Sequence, residues 1–92
     1  MYRVVLSRRY TTALKRFSRH ANFDLRLLEE IVSTLARGEK LEAKYRDHQL
    51  TGELKDSREC HVKNNILLVY RKYEDVLVLL IVDLGTHDDL FR

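Results

Sequence analysis

The sequence predicts an α+β domain of two layers, with two N-terminal helices packed on a small, mainly antiparallel twisted sheet and a short C-terminal helical turn. Three observations predict it. Apolar residues in the first part of the chain recur at helical spacing on two successive segments. The second half carries short apolar runs parted by tight turns, and strands joined by such turns pair antiparallel. Two adjacent helices followed by a sheet of this kind bury their stripes by covering one face of it. Ninety-two residues suffice for a single modest core. With no proline and no low-complexity tract to mark a linker, one domain is expected over residues 1–92.

The elements follow in order. "YRVVL" is a β-rich run that opens the sheet. Ser7 is a helix N-cap, and behind it Tyr10, Ala13, Leu14 and Phe17 share one face, leaving the arginines outside. A second helix begins near Asp24 with the stripe Leu27, Leu28, Ile31, Val32 and Leu35, and Gly38 stops it. "EKLEAKYRDHQLTGELKDS" is polar and irregular, with a weak strand expected at 50–54. "RECHV" and "ILLVYRK" are two strands separated by the turn-forming "KNN". Glu74–Asp75 make a second turn before "VLVLLIV", whose continuous apolar character suits a central strand packed on both sides. The tail "THDDLFR" makes one helical turn at the sheet's edge, with Thr86 as its cap.

Charge is unevenly spread. The net charge is +3, yet Arg3, Arg8, Arg9, Lys15, Arg16 and Arg19 stand in the first nineteen residues without one acid, so the remainder sums to −3. Such a block suits a polyanion such as RNA or DNA; an acidic protein partner or a solvated helix face would read the same way. No apolar run approaches the ~18–20 residues of a membrane span, and "MYRVVLSRRY" lacks the apolar core of a secretory signal. The single cysteine, Cys60, forms no internal disulfide. A cytoplasmic protein without a membrane partner is expected.

No zinc-finger spacing, phosphate-binding glycine loop or nucleophile elbow is present. His20 lies between the helices without polar company and reads as a solvated loop residue. His48, His61 and His87 each stand beside a possible partner, as "DH", "CH" and "HDD", in or next to the sheet. They lie thirteen and twenty-six residues apart on different elements, unlike the short ligand spacings of metal sites, so no metal is expected. Proton transfer is the stronger reading, because imidazole gives and takes protons near neutral pH. Two such groups and a cation can cleave RNA. One takes the proton of a ribose 2′-hydroxyl as it attacks phosphorus, the other protonates the departing 5′-oxygen, and the cation holds the phosphate. Asp88 and Asp89 are then first-turn acids favoured by the helix dipole.

The fragments "KYRDHQLTGELKDSRECHV", "ILLVY" and "LGTHDDLF", at matching spacing over residues 44–91, resemble the YafQ branch of the RelE-like toxins within the RelE/ParE superfamily. The resemblance implies a RelE-like fold and a toxin that enters the ribosomal A site and cleaves translated mRNA. It also implies a cognate DinJ/RelB-like antitoxin that occludes the site, and no cofactor or small-molecule ligand. Carried over by position, His48, His61 and His87 are catalytic: His87 as general acid, His61 or His48 as base or phosphate holder. Arg58 and Lys63 become phosphate cations, Phe91 an aromatic at the site or a core closure, and Arg8, Arg9, Lys15, Arg16 and Arg19 a grip on ribosomal RNA. Two positions depart from the family. Asn65 and Ile66 stand where an acid and often a tryptophan are usual. Asp83 replaces an arginine expected to stabilise the phosphate, so it either joins the proton chemistry or marks a weakened nuclease that keeps antitoxin and RNA binding. A ParE-like gyrase poison is the alternative from another class; the three histidines count against it.

Overall fold

One serine ends the first strand and starts the first helix. In the computed structural model, which describes residues 1–63 and 65–91, β1 is Arg3–Leu6 and α1 is Arg8–Phe17. The Ser7 oxygen accepts the Tyr10 N–H at 3.0 Å, satisfying one donor that the helix start leaves free, and its own proton goes to the Val82 carbonyl. The second helix, α2 (Leu25–Ala36), is capped by Asp24, whose Oδ1 accepts the Leu27 N–H at 3.0 Å. It ends at Gly38, whose φ of 78° lies in the left-handed region that residues with a Cβ resist.

Four further strands follow: β2 (His48–Gln49), β3 (Arg58–Lys63), β4 (Ile66–Tyr73) and β5 (Val78–Gly85). The sheet order is β1-β5-β4-β3-β2, with β1 parallel to β5 and the other pairs antiparallel. The tail forms α3 (His87–Leu90) under the Thr86 cap. Tyr10, Ala13 and Phe17 of α1 and Leu28, Ile31 and Leu35 of α2 pack on Cys60, Val62, Leu68, Tyr70, Leu79, Ile81 and Leu84 of the sheet. Because side chains alternate along a strand, Glu59, His61, Leu67 and Val69 belong to the opposite face, away from the helices, whereas Asp83, beyond the register shift between Val69 and Tyr70, reaches Arg9 of α1. No described helix is long and apolar enough to cross a membrane.

Two local expectations change. The strand expected at 50–54 lies earlier, at His48–Gln49, and Gly52–Leu54 is a 3-10 turn. Gly52 takes a φ of 69°, which turns the chain out of an extended path. The apolar run at 76–82 does not all enter the sheet. Val76 and Leu77 finish the β4–β5 turn, with Leu77 at a φ of 52°, and β5 instead runs on through Asp83 to Gly85. Four residues must reverse the chain here, and the Leu77 carbonyl is used by the Arg3 N–H at 2.8 Å. The "KNN" turn includes Asn64, which lies outside the described residues.

Candidate functional site

Cross-strand register builds the site. His48 lies opposite Glu59, Glu59 opposite Val69, and Val69 opposite Asp83, forming one row across the sheet. The neighbouring row runs His61, Leu67, Gly85. His48 and His61 are therefore diagonal neighbours on the helix-free face, with ring centroids 6.4 Å apart. The sequence pattern alone could place them on strands; only the register shows that residues thirteen apart meet.

The residue that joins them is one that sequence reasoning missed. Glu59 is only 5% exposed. Its Oε1 lies 3.4 Å from His48 Nε2, and its Oε2 is buried with no hydrogen-bond partner among the described residues. A carboxylate in that state costs free energy unless a proton or cation meets it, and such groups concentrate where chemistry is done. The available signal was period two: Glu59 and His61 flank Cys60 and must share a face once Cys60 faces the core. His48 Nδ1 lies 2.7 Å from the Arg46 carbonyl, which can only accept, so Nδ1 carries a proton, and Nε2 is the nitrogen turned to Glu59.

His87 arrives from the end of β5. Gly85 ends the strand in the row of His61, and Thr86 turns the chain into α3 through a reciprocal capping box with Asp89. A Cβ on Gly85 would stand 2.8 Å from the Asp89 Cβ, so the tail docks here because the position is glycine. The exposed His87 ring lies 5.0 Å from the half-buried Phe91 ring, which gives the imidazole an aromatic neighbour on the same side of the tail.

The cations divide. Arg58 donates to Asp47 at 3.2 Å and to Gln49 at 3.4 Å, and Lys63 pairs with Asp24 at 3.8 Å beside the start of α2. Asn65 is an exposed turn residue. Asp83 does not contact a histidine through any hydrogen bond or ion pair described; its Oδ2 meets Arg9 of α1 at 3.1 Å and its Oδ1 accepts the Leu84 N–H at 2.8 Å. Arg16 approaches Asp89 at 3.6 Å. Arg8, Arg9, Thr12 and Arg16 line a groove of about 380 Å³ between α1 and the tail. Arg8, Lys15 and Arg19 are exposed, so the basic block faces solvent. His48 and His61 thus meet on one face of the sheet and His87 stands on the tail beyond the end of β5, whereas Arg58 and Lys63 are drawn to other carboxylates.

Among the described residues, no three His, Cys, Asp or Glu side chains are disposed to hold a metal ion. Residues 2–92 match the family model of the bacterial toxin of type II toxin–antitoxin systems, YafQ. No curated protein matches the sequence. Among solved structures, a metal-bound toxin from Helicobacter pylori is 42% identical at a TM-score of 0.91, with 99% of this chain and 100% of that chain covered. A copper-bound mutant toxin from the same organism is 32% identical at a TM-score of 0.91 over 99% of this chain and 100% of that one. The toxin-antitoxin complex DinJ-YafQ of E. coli includes a chain 25% identical at a TM-score of 0.88, both chains being covered in full.

Proposed function

The chain belongs to the YafQ family of toxins of bacterial type II toxin–antitoxin systems, and on that premise we propose that it is an endoribonuclease that cleaves mRNA in the ribosomal A site. The observation that carries this reading is the pairing of His48 and His61 on the helix-free face, in whose row, across β4, lies the strand end Gly85 that leads to His87. His61 or His48 takes the 2′-hydroxyl proton, the oxygen attacks the adjacent phosphorus to close a 2′,3′-cyclic phosphate, and His87 protonates the departing 5′-oxygen. Phe91, beside His87, stacks on a base and holds the nucleotide, a contact worth ~1–3 kcal/mol. The exposed arginines and lysine of residues 8–19 grip ribosomal RNA through phosphates. The similar Helicobacter pylori toxins are a metal-bound toxin and a copper-bound mutant toxin; the steps proposed for this chain are written on its own side chains. The site works in the cytoplasm, and an acidic DinJ-like antitoxin, by analogy with the E. coli complex, covers it.

The test is cleavage of a defined mRNA on programmed ribosomes, with transcript ends mapped. The unaltered chain is expected to cut in phase with codons. His87→Ala is expected to lose about 100–10,000-fold, the range of a positioned proton donor. Absence of cleavage by the unaltered chain removes the proposal. A second reading, a weakened nuclease that retains antitoxin binding, is favoured by Asp83, whose carboxylate opposes phosphate binding at the end of β5. Gyrase poisoning has no supporting observation beyond the shared fold.

A further inference from the structure

β2 is too short to hold a working side chain by its ladder alone. It has two residues, both exposed, paired only to β3 at the outer edge of the sheet. Yet it carries His48. We propose that Asp47 is the positioning residue for His48, anchoring the loop so that the imidazole stays aimed at Glu59 and His61. This rests on the reading of His48 as part of an RNA-cleaving site.

The anchor is visible atom by atom. Asp47 Oδ1 accepts the Tyr70 hydroxyl proton at 2.6 Å and the Arg58 Nε proton at 3.2 Å. Tyr70 is fully buried on β4, so the bond ties the edge loop to the middle of the sheet. Burial first, and then Asp47 itself, push the Tyr70 ionisation upward, so the hydroxyl remains a donor. Arg58 also reaches Gln49, and thereby grips the residues on both sides of His48. Strand alternation turns His48 the other way, toward the open face. One step upstream, Arg46 has a φ of 51°, a conformation a side chain resists, and this turn aims its carbonyl at His48 Nδ1. The anchor at Asp47 holds that turn in place. It follows that Arg58 acts through Asp47 rather than on phosphate.

The experiment compares Asp47→Ala and Asp47→Asn, each alone and with His48→Ala, by single-turnover cleavage on programmed ribosomes and by NMR of the His48 ring nitrogens. Asp47→Ala is expected to lower kcat at least about tenfold with KM nearly unchanged, because small misplacements act on rate. It should also shift the His48 ring from the Nδ1-protonated form to a mixed tautomer. Asp47→Asn keeps an accepting oxygen and should recover most of the rate. With His48→Ala already present, Asp47→Ala should cost nothing more. Equal losses in both backgrounds, or an unchanged His48 spectrum in Asp47→Ala, overturn the proposal. If the unaltered chain cuts no RNA, the nuclease reading fails by itself and the His48 spectrum still decides the anchor. Should Asp47→Ala not fold, Tyr70→Phe, which keeps the core filled and removes one bond, is read against the same spectrum.

Discussion

Arg9 and Asp83 face each other across the part of β5 that β1 does not cover, 3.1 Å apart, with the arginine largely exposed and the carboxylate 14% exposed. With the guanidinium solvated, water screens the pair and it contributes little, ~1 kcal/mol, so its interest is functional. It holds a negative charge on β5 where an RNA phosphate would prefer a positive one, and it brings an arginine to the same place from α1. Asp83→Arg alone sets two guanidinium groups against each other. The double exchange Arg9→Asp with Asp83→Arg keeps the pair and moves the cation onto the strand. The expected order of cleavage rate on ribosomes is double exchange, then unaltered chain, then Arg9→Asp alone. A double exchange slower than the unaltered chain means that Asp83 takes part in the chemistry. His48, His61 and His87 were legible as candidates because imidazole is rare and chemically distinctive. Glu59 was not, because a glutamate beside an arginine and a cysteine says nothing until the strand's two faces are assigned.

Elements whose ends are capped locally were the most legible. Ser7, Asp24 and Thr86 each satisfy a free helix donor three residues ahead, an interaction complete within one turn of chain. The strand at 48–49 and the extra turn residues at 76–77 were hidden, because a two-residue strand and a left-handed leucine are set by what they pair with, not by propensity. The tail shows how one position controls an element. Gly85→Ala puts a methyl group 2.8 Å from the Asp89 Cβ and 3.0 Å from its Oδ2. The expected outcome is a displaced α3, with His87 moved from its place at the end of β5. Strain of this kind costs ~1–3 kcal/mol, or a melting-point drop of several degrees in a domain of this size. Cleavage is expected to fall by more than the stability loss explains, because the sheet persists while His87 moves. Equal melting points and equal cleavage for Gly85→Ala and the unaltered chain would show that the tail is not held by this contact.

At the scale of the whole molecule, the sheet buries two groups that ionise only in alkali. Burial, reinforced by the charges of Asp47 and Glu59, lifts the Cys60 thiol from an ordinary 9.0 to about 12. Burial and the bond to Asp47 lift the Tyr70 hydroxyl from 10.0 in the same direction. Both groups stay protonated in the fold and ionise earlier in the unfolded chain. Unfolding therefore releases protons in alkali. This contribution to stability is full below about pH 9 and is lost as pH rises through the folded values. Denaturation midpoints should be flat from neutrality to about pH 9 and fall above it, with a shallower fall in Cys60→Ala. A midpoint that stays level well above the ordinary values of 9.0 and 10.0 would contradict the burial argument. The same burial keeps Cys60 unreactive to thiol reagents at neutral pH.

By itself, the sequence determined the layers: two amphipathic helices, short strands, tight turns and caps, all signalled by periodicities and bonds that close within a few residues. It also determined the inventory of imidazoles and the resemblance to YafQ toxins, since both are read from residue identity and spacing. Tertiary structure alone decided which of these residues act together. Register across β2, β3, β4 and β5 sets His48 beside Glu59, His61 next to both, and Asp83 against Arg9. The physical reason is that a strand dictates the direction of its side chains but not its neighbours. Neighbours are chosen when burial of one face fixes the pairing of all five strands.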